Sequence, residues 1–181
     1  MFAGLAIIAG LAGGHSPSAE AGALPPELRL GIFDHNVEPA GNEDGIDLNA
    51  EALISLPFNQ GATGSSVLDR LIDPRIAVGA TLNTGDATDL AYAGLVWTVP
   101  IGDVVFFEAG IAAAIHDGPL DEDGVASYGC RLAFRETASI GMPLDDRWRI
   151  MATVEHMSNA DLCGRNRGLT NAGVRLGYAL D

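Results

Sequence analysis

The stretch Val104–His116, VVFFEAGIAAAIH, decides how this chain is read. Its odd positions, Val105, Phe107, Ala109, Ile111, Ala113 and Ile115, are all apolar, whereas the even row holds Phe106, Glu108, Gly110, Ala112, Ala114 and His116. Successive side chains of an extended strand point to opposite faces, so the segment has one continuous apolar face and one mixed face. Ser127–Met142 repeats the pattern: Tyr128, Cys130, Leu132, Phe134, Glu136, Ala138, Ile140 and Met142 share one parity, with Arg131, Arg135, Thr137 and Ser139 opposite. An apolar row facing lipid and a polar row facing a lumen is the alternation of a small membrane barrel. A two-sheet sandwich alternates similarly, but these segments exceed the roughly 9–11 residues that a tilted barrel strand needs to cross a bilayer.

Working outward, further alternating segments lie near Glu27–His35, Asp47–Phe58, Arg75–Asn83, Leu90–Ile101, Trp148–Ser158 and Asn171–Leu180, separated by turn residues. Almost nothing has a helical period. About eight such strands predict an all-β fold, a closed antiparallel up-and-down transmembrane barrel with no free edge. Pro100–Asp103 and Pro143–Arg147 are then the short periplasmic turns, and Asp117–Ala126 and Asn159–Thr170 the longer outer loops.

Composition agrees with export. The 24 acidic residues outweigh ten basic ones, all arginine, for a net charge of −14, which excludes a nucleic-acid binder. Mean hydropathy is nonetheless +0.20. The acid concentrates in runs such as Asn42-Glu43-Asp44 and Asp121-Glu122-Asp123, which read as solvated loops between apolar strands. Phe2–Ala12 is an apolar run followed by the small-x-small site Ala19-Glu20-Ala21, so residues 1–21 are expected to be a signal peptide and 22–181 a single barrel domain. The run is too short to span a bilayer as a helix. Cys130 and Cys163 fit an oxidising compartment, as one disulfide or as two buried thiols. Four scattered histidines have no metal-ligand spacing, and no metal or organic cofactor is expected.

The chemistry-bearing residues fall in the seventh segment. Trp148, Ile150, Ala152 and Val154 form an apolar row, and continuing by twos reaches His156 and then Ser158. A base and a hydroxyl on one face, beside an outer loop, have the makings of an activated nucleophile. The words around them are more specific. His156-Met157-Ser158-Asn159-Ala160, a Gly-rich loop and Asn171-Ala172-Gly173-Val174, together with Gly129-Cys130-Arg131 and Leu144-Asp145-Asp146-Arg147-Trp148, resemble the outer-membrane lipid A 3-O-deacylase family (PagL type) over Ser127–Asp181.

That resemblance implies a barrel in the cell outer membrane whose site faces the outer leaflet. Ser158 would be the nucleophile, His156 the base and Asn159 an oxyanion donor. The substrate would be lipid A, within lipopolysaccharide, which loses an ester-linked 3-hydroxyacyl chain; a homodimer is compatible with it. The family's orienting acid stands twelve residues beyond the serine, which here is Thr170. If the Pro143–Arg147 turn pairs Met142 with Trp148, Glu136 lies opposite Val154 and diagonal to His156, where it would replace that acid. The same register sets Cys130 opposite Ala160, near the loop that bears Cys163. A non-catalytic structural or adhesive barrel is the alternative, favoured by Thr170 and opposed by the joint presence of His156, Ser158 and Asn159. A soluble lipid-binding barrel would need an apolar interior, against which Arg131, Arg135 and Glu108 argue.

Overall fold

A computed structural model describes residues 24–38, 43–55, 68–69, 73–122 and 127–180. Eight strands follow in chain order: β1 (Glu27–Asp34), β2 (Ile46–Ile54), β3 (Arg75–Asn83), β4 (Leu90–Ile101), β5 (Val105–His116), β6 (Leu132–Pro143), β7 (Trp148–Ser158) and β8 (Leu169–Ala179). Each pairs antiparallel with the next, and β8 returns to β1 through pairs such as Leu30↔Leu176, closing the barrel. The expected signal peptide, and the end of the expected second strand at 56–58, lie outside the described residues.

The alternation read from Val104–His116 is the alternation of the wall. Phe107, Ile111 and Ile115 face outward, while Phe106, Glu108, Ala112, Ala114 and His116 are buried within. Leu30, Ile32, Leu132, Ile140, Val154 and Val174 continue the exposed apolar surface around the barrel. Such a surface is stable against lipid and costly against water.

Inside, an eight-stranded barrel is just wide enough to be filled by side chains. Arg29 meets Glu27 at 2.7 Å, Glu108 at 2.8 Å and Glu51 at 3.3 Å, and Arg75 meets Glu27 at 2.9 Å and Glu108 at 3.1 Å. Arg135 pairs with Glu155 and lies 3.7 Å over the Tyr92 ring, while Arg175 reaches Glu155 at 3.3 Å. Buried charges persist only when paired, and here arginines and glutamates interleave through the lumen. This interior is a packed polar core, unlike the apolar cavity that a soluble lipid carrier requires.

Two details of β6 differ from the sequence reading. The strand begins at Leu132, and Tyr128 is buried inside instead of sharing the outer row. The cause is a kink at Gly129, whose φ of +82° suits glycine, and beyond it Arg131 is exposed and donates to the carbonyls of Gly118 and His116. The β6–β7 register is also offset by two: Met142 pairs with Ile150, and Glu136 pairs with His156 instead of Val154. Asp145 sets this turn, because its carboxylate accepts the backbone N–H groups of Arg147 and Trp148 at 2.8 and 2.7 Å.

Candidate active site

His156 and Ser158 end β7 on the outer face, in line with exposed Val154. Both are partly exposed, and the inward neighbours Glu155, Met157 and Asn159 are buried. Strand parity therefore delivers an imidazole and a hydroxyl to the rim of the apolar surface, next to the 159–168 connection. Phe134, exposed on β6, stands directly opposite Ser158.

A row of polar side chains crosses three strands at the level of the imidazole. Glu136 of β6 pairs with His156 of β7, and His156 pairs with Thr170 of β8. The imidazole faces β8: Nδ1 lies 2.8 Å from the Thr170 hydroxyl. That hydroxyl also donates to a carboxylate oxygen of Glu38, which itself lies 3.9 Å from His156 Nδ1. Glu38 comes from the connection between β1 and β2, and nothing in its sequence surroundings marks it.

The connection is tied to β8 by backbone geometry. Val37 N–H donates to the Thr170 carbonyl at 2.8 Å, and Asn36 N–H donates to Asn171 Oδ1 at 2.9 Å. Asn36 has a left-handed φ of 57°, a conformation that asparagine tolerates better than most residues, and it turns the chain after β1 towards Thr170.

The 159–168 connection is held just as firmly. Its disulfide joins Cys163 to Cys130 with Cα atoms 5.7 Å apart, so the thiols are bridged, although Cys130 precedes β6. Asn159 is turned inward: its side-chain N–H groups donate to the carbonyls of Tyr128 and Arg165, and its backbone N–H donates to Asn166 Oδ1 at 2.8 Å. Asn159 thus acts first as the anchor of this loop. Gly168, at the loop's far end, packs against the ring of His156, a contact without any sequence signature.

The sequence reading therefore placed His156, Ser158, Asn159 and Thr170 in one region, and the structure brings them together there. It also brings Glu136 beside His156, one pair closer than the diagonal expected. It adds Glu38 and Gly168.

A profile of the family described as Lipid A 3-O-deacylase (PagL) matches residues 73–179. Among solved structures, the outer membrane enzyme PagL superposes with a TM-score of 0.63 at 17% identity, covering 85% of this chain and 99% of that one. Neisserial surface protein A (NspA) superposes with a TM-score of 0.62 at 12% identity, covering 88% of this chain and 99% of that one. Both likenesses concern the barrel fold. Among curated proteins no sequence matches.

Proposed function

The chain belongs to the lipid A 3-O-deacylase (PagL) family, and from that premise we propose that it resides in the outer membrane and hydrolyses an ester-linked 3-hydroxyacyl chain of lipid A. The observation that carries this reading is that His156 and Ser158 are successive residues of the outward row at the end of β7, beside the 159–168 connection. A lipid held in the adjoining leaflet presents its ester at the boundary between acyl chains and headgroup. A nucleophile at the rim of an apolar wall meets it without extracting the lipid.

Ser158 Oγ attacks the ester carbonyl as its proton passes to His156 Nε2. The tetrahedral intermediate carries an oxyanion, assigned to Asn159 and the backbone N–H groups beside it. Since the Asn159 amide is bonded to two loop carbonyls, it contributes by direct donation only if substrate displaces one of them. Its other contribution is to fix the 159–168 connection beside Ser158. Collapse of the intermediate breaks the ester C–O bond, and the imidazolium returns its proton to the leaving alkoxide. Water then hydrolyses the acyl-serine by the same route in reverse.

One observation favours a non-catalytic barrel, namely Thr170 at the position of the family's acid. Mass spectrometry of lipid A from cells with wild-type protein, with Ser158→Ala or with neither separates the two readings. A deacylated species only with wild type is expected. The same species with Ser158→Ala, or none with wild type, refutes the hydrolase reading.

A further inference from the structure

We propose that Glu38 is the carboxylate that orients His156, acting through the Thr170 hydroxyl, so that the acid of this site comes from the β1–β2 connection and not from β8. The inference rests on the deacylase reading for its catalytic meaning, but its geometry stands independently.

Protons decide the roles of the three groups. An ionised carboxylate only accepts hydrogen bonds, whereas a hydroxyl has one proton to give and lone pairs to receive with. Thr170 gives its proton to Glu38, so its oxygen is left to accept from His156 Nδ1. The imidazole is thereby set in the tautomer with hydrogen on Nδ1 and the lone pair on Nε2. Only that tautomer removes a proton from Ser158 through Nε2, and setting it is the work of the acid in a serine triad. A threonine alone does not choose: with its own proton unassigned it could donate to Nδ1 and select the wrong tautomer. Glu38 makes the choice.

Glu38 also supplies charge. Its carboxylate lies 3.9 Å from Nδ1, close enough to stabilise the imidazolium formed when Ser158 is deprotonated. The Glu38 and His156 side chains are 45% and 41% exposed, so water screens them in the free protein. A lipid seated over the site displaces that water and strengthens the attraction when it is used.

The placement is built in. Asn36 and Val37 bond to Asn171 and Thr170, two residues and one residue before Glu38. Glu136, on the other side of the imidazole, is the competing carboxylate, but Nδ1 has a single proton and Thr170 receives it.

The test has two arms on purified, refolded protein, with the heat-dependent gel shift of the intact barrel verifying each variant. In the activity arm, Glu38→Gln is expected to lower kcat on lipid A by between about 10² and 10⁴-fold, with KM within about twofold. Glu136→Gln is expected to lose less turnover than Glu38→Gln, and Thr170→Glu in the Glu38→Gln background to recover turnover. Wild-type turnover in Glu38→Gln, or a collapse confined to Glu136→Gln, overturns the proposal. In the second arm, ¹⁵N NMR of His156 is expected to show the Nδ1–H tautomer in wild type and a mixture in Glu38→Gln and Thr170→Val. If wild type does not deacylate but this tautomer depends on Glu38, the hydrolase reading fails and the positioning role stands. A tautomer indifferent to Glu38 overturns the positioning role whatever the activity.

Discussion

Gly168 stands against the imidazole of His156: a Cβ placed on it would lie 2.5 Å from Cε1 and 3.1 Å from Nε2. No side chain fits there unless the ring moves, and a moved ring loses the 2.8 Å contact between Nδ1 and Thr170. Gly168→Ala is therefore expected to reduce deacylation by about a hundredfold, the scale on which small misplacements of a reacting group act. Barrel stability should change little, because the collision is with one partly exposed side chain. Full activity in Gly168→Ala would show that the ring position seen here is not the working one.

If Ser158 and His156 act on one proton, as proposed, their losses do not add. Ser158→Ala and His156→Ala are each expected to abolish measurable deacylation, and the double variant to be no worse than either. Single-turnover assays on lipid A in detergent micelles give the comparison. Losses that multiply would mean that the two residues serve separate steps.

The barrel was legible because lipid outside and charge inside impose a strict period of two, and the rows of β1, β2 and β7 keep it from end to end. It faltered where a local side chain or backbone angle intervened. Tyr128 continues the apolar parity of β6 in sequence, yet the Gly129 kink turns it into the lumen beside His116. The β6–β7 register depends on the Asp145 carboxylate, and a turn of nearly the same length could close at either register.

The site divides along the same line. His156, Ser158 and Thr170 sit on neighbouring strands, where parity and spacing report location. Glu38 stands 132 residues from Thr170, on an irregular connection with no period to reveal it. Only the closure of β1 on β8 brings the two together, and closure pairs residues from opposite ends of the chain.

Ile111 tests the membrane face directly. It is 49% exposed in the body of β5, flanked on the same row by Ala109 and Ala113. Ile111→Arg is expected to cost about 2–4 kcal/mol if the position is near the bilayer midplane. Reversible unfolding in lipid vesicles measures it. An unchanged folding free energy would remove Ile111 from the hydrocarbon.

The His35 side chain is fully buried just beyond β1, with Nδ1 2.9 Å from Asp47 and Nε2 3.5 Å from Glu43. Burial alone would lower its pKa, but the hydrogen bonds and charges of Asp47 and Glu43 outweigh burial and raise it to about 9. Glu43 is held below the usual carboxylate range: burial opposes this, but hydrogen bonds with His35, Tyr128 and Thr88 prevail. Asn83 and Asn171 complete the surroundings by donating to Asp47 at 2.8 Å each. A histidine whose folded pKa exceeds its ordinary value of about 6.5 stabilises the fold fully below that value. The contribution shrinks above it and is lost as pH rises through about 9, when a neutral ring leaves buried Asp47 and half-buried Glu43 without their cation. Unfolding midpoints should therefore fall between about pH 6.5 and 9 in wild type, and His35→Gln should lose that component of the slope. Parallel pH dependences in the two proteins would show that His35 remains neutral in the fold, and that another group holds Asp47 and Glu43 together.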